Sequence, residues 1–314
     1  MTGTPPPIDI GALAQLACLL EVTAPKPGNV SPRRDFDDAT YDDFVTSSAA
    51  INTALGTAGT RPLGETILLA IEATRAVTAT NTNLGIVLLL APLARAAAAI
   101  TSAGDWTGRR IIDRQQLRVA LADVLASTTV DDARHVYAAI RLASPGGLGS
   151  TVQQDVAAEP TIPLTEAMRL AADRDGIARE YVTDFHATFE LAAPALDAAQ
   201  RDGLDWSDAI VETFLTLLAT YPDTHIVRRA DADLAARVST QARDALGAGG
   251  VRSPSGRAAI ERMSITLRGK HNRANPGTTA DITAAAIFVS LLGGVSLLGG
   301  AGKSRNGGTD AASH

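Results

Sequence analysis

Several stretches of this chain place charged, titratable and turn-forming residues close together. The stretch Glu21 to Asp38 reads E-V-T-A-P-K-P-G-N-V-S-P-R-R-D-F-D-D, setting Lys26, Arg33 and Arg34 beside Asp35, Asp37 and Asp38. Pro25 and Pro27 fix φ and remove donors, so this loop is stiff. Gly28 and Asn29 tolerate left-handed turns. A stiff loop with both signs of charge can hold an anion with its cations and a divalent metal with its carboxylates. The same residues also suit a solvated link between helices. Further along, Asp223-Thr224-His225-Ile226-Val227-Arg228-Arg229 puts an acid, an imidazole and two guanidinium groups in one short segment. Histidine changes charge nearest neutrality, and arginine binds phosphate with two parallel hydrogen bonds. Near the C-terminus, N-R-A-N-P-G-T-T-A-D (272–281) repeats the composition of the first loop.

Two weaker signals concern anions. Asn81, Thr82 and Asn83 precede an apolar run and can cap its helix, with the first backbone donors left for an anion. An ordinary cap explains them as well. The turn S-P-G-G-L-G (144–149) contains Gly146 and Gly147, which would let backbone approach a phosphate closely. It lacks the Lys-Ser/Thr of a P-loop, and Gly302-Lys303-Ser304 has Leu297 where a P-loop requires glycine.

The elements that must position these residues are helices. Apolar residues recur at three- and four-residue steps over 8–22, 40–55, 63–78, 84–100, 111–127 and 130–142. The pattern resumes over 164–174, 180–192, 207–221, 230–246, 257–270 and 282–298. In this reading Pro92 and Arg95 interrupt the fourth run, and Asp281 sits where the last helix begins. No convincing strand pattern and no short repeat occurs. The expected fold is all-α: a single compact domain over 1–302 with its site built from interhelical loops, then a disordered tail over 303–314.

Composition narrows the function. Of 314 residues, 46% are hydrophobic but only 4% aromatic, which favours helix over sheet. A net charge of -6 gives no basic field for nucleic acid. Cys18 is the single cysteine, so it forms no internal disulfide and reads as a small buried hydrophobe. The opening M-T-G-T-P-P-P-I-D-I has no signal-peptide pattern, and a cytoplasmic location is expected. The uncharged run Ile282–Gly302 approaches membrane-spanning length, but its glycines and the lack of aromatic anchors favour a buried central helix. Nothing in the sequence signals an oligomeric state.

Together the loops are more specific than any one of them. P-K-P-G-N-V, N-T-N-L-G before an apolar helix, a glycine-rich turn, D-T-H-I-V-R-R and N-P-G-T-T-A-D before an apolar helix follow in that order. Over roughly residues 12 to 298 this succession resembles the triphosphoribosyl-dephospho-CoA synthase family. The resemblance implies an all-α enzyme that joins ATP to 3'-dephospho-CoA and releases adenine. The product is the precursor of the prosthetic group of citrate lyase or malonate decarboxylase. Such chemistry needs charge neutralisation on the triphosphate, a base at the acceptor hydroxyl and a means to protonate adenine. The resemblance thus implies Mg²⁺ as cofactor, with Asp35, Asp38, Asp223 and Asp281 as candidates for metal ligand. Asp35, Asp223, His225 and Asp281 are the candidate catalytic groups. Lys26, Gly28, Asn29, Asn81, Thr82, Asn83, Gly146, Gly147, Arg228 and Arg229 are expected to bind substrate, as are Asn275, Gly277, Thr278 and Thr279.

One departure bears on the acceptor. Family members with this activity commonly read Asn-Thr-His-Lys-Gly where this chain has Asn81-Thr82-Asn83-Leu84-Gly85. A related ATP-dependent transfer in another cofactor pathway, such as tetrahydromethanopterin biosynthesis, is the alternative that this suggests. A non-catalytic nucleotide-binding helical protein is a second.

Overall fold

The computed structural model describes residues 8–102, 111–145, 153–269 and 272–294. Its helices in the first half are α1 (Ile10–Thr23), α2 (Tyr41–Ala50), α3 (Asn52–Gly56), α4 (Leu63–Val77), α5 (Leu84–Ser102), α6 (Arg114–Ala126) and α7 (Val130–Ala143). The second half holds α8 (Leu164–Ala171), α9 (Gly176–Val182), α10 (Ala193–Arg201), α11 (Trp206–Thr220), α12 (Thr224–Arg229), α13 (Ala232–Gly247), α14 (Pro254–Leu267) and α15 (Gly277–Leu292). No strand occurs among the described residues; an isolated antiparallel bridge joins Ser31 and Arg34.

Two helices form the centre. From Thr278 to Leu292, α15 is buried at every position except Asp281, and it packs on α1, α5, α10 and α11. A helix that is apolar all round must lie inside the protein, since it has no face to give to water. The second, α5, runs unbroken through Pro92, and Arg95 does not end it either. Arg95 points its guanidinium at the carbonyls of Ala58 (3.0 Å) and Arg61, leaving its apolar neighbours in the core. This helix is long and apolar enough to cross a membrane, but 72% of its most apolar stretch is buried inside the protein. The last apolar run enters α15, which ends at Leu292, and its residues from 295 on lie outside the described residues.

Helix ends follow local chemistry. Thr40 with Asp43 and Thr129 with Asp132 form capping boxes, and Asp113, Asp175, Asp205, Asp223 and Asp231 cap the helices that follow them. The 180–192 region departs from the expected helix. The chain leaves α9 at Val182, takes positive φ at Asp184 and Phe185, and resumes as a π-helix over Ala187–Ala192. Buried Glu180 holds this break by accepting from Ala187 N, Thr188 N and Thr188 Oγ1. The tail expected to be disordered lies outside the described residues.

Candidate active site

A cavity of about 610 Å³ opens where the loops preceding α5 and α15 meet the ends of α1, α9 and α12. That volume is in the range of small-molecule sites. The loop before α5 contributes Asn81, Thr82 and Asn83 to its wall, and the first loop contributes Asn29. From α12 come His225 and Arg228, and from the last loop and α15 come Asn275, Gly277, Thr278 and Asp281. Segments far apart in the chain are thus brought together, as in the 2.6 Å hydrogen bond from Asn29 Nδ2 to Asn275 Oδ1, 246 residues away.

The first loop is fixed to the far end of the chain. Arg268 donates to Asn29 O at 2.6 Å and to the carbonyls of Arg34 and Asp35. Gly28 has φ 79° and lies against Leu267 and Pro276, where an added Cβ would be 2.9 Å from the leucine side chain. Gly28 therefore closes the loop on its support; it is not part of the cavity wall. Lys26 is also not on the wall. Its Nζ is buried, 3.0 Å from Glu21 Oε1, and donates to the carbonyls of Glu21 and Ala24 (3.2 Å). A lysine has three donors, and all of these are used inside the protein. The ion pair orients Glu21, which does line the cavity.

The carboxylates expected to act together are separated. Asp35 is exposed and accepts from Tyr41 N at 2.7 Å, and Asp38 is exposed and accepts from Asn272 Nδ2 at 3.3 Å. Asp223 is buried off the cavity. Its Oδ1 caps α12 through Ile226 N, and its Oδ2 accepts from Thr279 N and Thr279 Oγ1, both at 2.7 Å. Thr279 thus serves Asp223, and neither residue lines the cavity. Arg229, at the end of α12, is off the wall as well, and its carbonyl accepts from Arg273. Gly146 and Gly147 lie outside the described residues. No group of three or more His, Cys, Asp or Glu side chains that could hold a metal occurs among the described residues.

Asp281 differs from these carboxylates. It lines the cavity, and no hydrogen-bond donor reaches it among the described residues. It is the fifth residue of α15, beyond the first turn, so the start of the helix does not use it. Gly85 on α5 faces it: a Cβ there would be 2.0 Å from Asp281 Oδ2. Burial pushes its carboxyl well above the usual range; the carboxylates of Glu21, Asp223 and Asp175 add to this and Arg228 opposes it. The Cys18 thiol is pushed up by burial first and then by Glu21 and Asp281, which leaves it an inert thiol.

On the other wall, His225 is shifted the opposite way. Burial, then Arg228 and Arg229, lower its pKa to about 3. Arg228 Nη1 lies 3.4 Å from Asp175 Oδ2, and its Nη2 lies 3.4 Å from His225 Nδ1. The N-termini of α5 and α15 open on the same cavity and add positive partial charge.

The sequence reading missed Glu21, Gly85, Arg174 and Asp175 on this wall. For Glu21 a signal existed: an acid at the end of the apolar face of α1, three residues after Cys18. Asp175 falls between two of the predicted helices and carried no signal in the sequence.

Fold and site together define a class: an all-helical protein with a ligand-sized cleft, built where helix N-termini and interhelical loops converge. The chain belongs to the ATP:dephospho-CoA triphosphoribosyl transferase family (CitG), whose model it matches over residues 7–297. It is 26% identical over 298 residues to a 2-(5''-triphosphoribosyl)-3'-dephosphocoenzyme-A synthase of Pectobacterium atrosepticum, covering 88% of this chain and 87% of that protein. It is 32% identical over 160 residues to a Stutzerimonas stutzeri protein of the same name, covering 48% of this chain and 53% of that protein. The matched stretch thus spans about half of the Stutzerimonas relative. The crystal structure of an Archaeoglobus fulgidus protein described as a triphosphoribosyl-dephospho-CoA synthase superposes with a TM-score of 0.59 at 26% identity. That match covers 79% of this chain and 98% of that one.

Proposed function

We propose that this protein moves the 5-triphosphoribosyl group of ATP to the 2'-hydroxyl of 3'-dephospho-CoA and releases adenine. The observation that carries this reading is the meeting, in one cavity, of residues from four of the five stretches on which the family resemblance rests: Asn29, Asn81–Gly85, His225 with Arg228, and Asn275 with Asp281. The family match over residues 7–297 supports it and favours neither alternative acceptor chemistry nor a non-catalytic role.

In this reading the acceptor oxygen attacks C1' of the ATP ribose, and the bond from C1' to adenine breaks with its electron pair leaving on the base, which takes a proton from solvent water. Asp281 takes the proton of the attacking hydroxyl. Its carboxylate oxygens accept no hydrogen bond among the described residues, which leaves them open to that proton. Arg228 and the N-termini of α5 and α15 counter the triphosphate charge. Glu21 would hold the Mg²⁺ of the triphosphate; one or two carboxylates plus phosphate oxygens and water suit this ion. When bound, it neutralises phosphate charge. The cytoplasm is the proposed location.

The test is incubation with ATP, Mg²⁺ and 3'-dephospho-CoA, followed by chromatography for adenine and mass analysis of the product. Adenine that appears only with both substrates, with a product of the summed mass less adenine, is expected. No adenine from any combination would refute the reading.

A further inference from the structure

The surroundings of His225 fix more than its charge. Arg228, one turn along α12, points Nη2 at His225 Nδ1 from 3.4 Å. Arginine has no acceptor and keeps its protons, so Nδ1 must be the bare nitrogen that accepts. In a neutral ring the proton then sits on Nε2. The Nδ1 edge is closed from the other side by α15: a Cβ built on Gly277 would be 2.9 Å from Nδ1. Nε2 is buried and has no hydrogen-bond partner among the described residues. A buried N–H without an acceptor is costly, so a bound molecule that supplies one gains affinity. The imidazole is part of the cavity wall, and with Nδ1 engaged by Arg228 its unpaired nitrogen is Nε2.

We infer that His225 is a fixed, neutral Nε2–H donor to an acceptor atom of the bound nucleotide, a phosphate oxygen or a purine ring nitrogen. Arg228 is the positioning residue that sets its tautomer. The inference rests on the transferase reading only for the identity of the ligand. The charged groups around the ring agree with it. Arg228 and Arg229 lie on its own helix, and Asp175 at the start of α9 is engaged with Arg228. An imidazolium would face two guanidinium groups in a partly buried position, and the ring pKa of about 3 reflects this. His225 thus orients substrate and does not shuttle a proton, which leaves proton transfer to Asp281.

Nitrogen-15 NMR of the full chain tests this, because the two tautomers and the imidazolium have distinct ring shifts. His225→Gln assigns the signal. The expected spectrum has the Nε2–H tautomer, unchanged between about pH 5.5 and pH 8. In Arg228→Met, the Nδ1–H form should appear and the ring should titrate nearer its ordinary value. ATP should shift the Nε2 signal; adenine alone and tripolyphosphate alone then tell a ring nitrogen from a phosphate oxygen. Glutamine can place an N–H near the Nε2 position without any titrating proton. His225→Gln should therefore bind ATP within about threefold of wild type, and His225→Ala about tenfold more weakly. An imidazolium or Nδ1–H form in the wild type at neutral pH would overturn the inference. So would His225→Gln binding as weakly as His225→Ala with unchanged circular dichroism, or an Nε2 signal that none of the three ligands moves. If adenine release fails while the tautomer and the ATP shift hold, the transferase reading falls and the donor role stands.

Discussion

Gly85 on α5 and the Asp281 carboxylate on α15 are in such close contact that a Cβ at position 85 would lie 2.0 Å from Oδ2. The two central helices therefore meet at a cavity carboxylate that accepts no hydrogen bond among the described residues. Gly85→Ala should push Asp281 from its place. Turnover, measured as adenine release, should fall at least tenfold while the thermal unfolding temperature drops only modestly. Wild-type turnover in this variant would mean that the position of Asp281 does not matter.

Asp281 has a folded-state pKa raised by burial and neighbouring acids. Such a group contributes stability below its unfolded pKa and loses it as pH rises through the folded value. Above that value a buried charge weakens the fold. Asp281→Asn should raise the unfolding temperature more at pH 8 than at pH 5, and it should abolish adenine release. A variant less stable than wild type at pH 8 would contradict the assigned burial cost.

The Lys26–Glu21 pair gives a different expectation from a phosphate-binding lysine. Removing one partner of a buried ion pair leaves the other uncompensated, at a cost of about 3–5 kcal/mol. Lys26→Met should lose about that much in urea denaturation. A variant with wild-type stability and only weakened ATP binding would return Lys26 to the substrate.

His225 has the opposite pH signature to Asp281. With a folded pKa of about 3 against an ordinary value of 6.5, the unfolded chain binds more protons between those limits. Its stability contribution is complete above about pH 6.5 and declines below it by up to 1.36 kcal/mol per pH unit. His225→Gln removes this titration, so stability should fall less steeply between pH 6 and pH 4 than in the wild type. Parallel profiles for the two proteins would show that the imidazole is not held neutral.

Asn83 and Leu84 occupy the cavity wall at 5% and 7% exposure, and Asn83 Nδ2 donates to Thr74 Oγ1 at 3.0 Å. Changing the pair to His-Lys adds a cation within the cavity. If these positions set the acceptor, use of 3'-dephospho-CoA should improve severalfold in kcat/KM, with some loss of stability from the broken Thr74 bond. An unchanged kcat/KM would place acceptor choice elsewhere.

Most helices were legible from the sequence because helix periodicity, caps and proline breaks act within a few residues of one another. The Asn81 cap is of this kind: its side chain accepts from Leu84 N at 3.2 Å. So is the Asp223 cap on α12. The break at 182–187 was not legible, because Glu180 holds it through bonds that periodicity does not record. The loops could be gathered as one family pattern, but which of their side chains face the cavity was decided by packing between distant segments. Lys26 turned inward because Glu21 and two carbonyls use its donors, and Asp223 because Thr279, 56 residues away, uses its carboxylate. Asp281 stayed open because Gly85, on another helix, leaves room for its carboxylate. Sequence by itself determined the residue types and the local turns. Tertiary structure decided which charges were spent inside the protein and which were left for a ligand, since a charge buried without a partner is too costly to leave unpaired unless a site requires it.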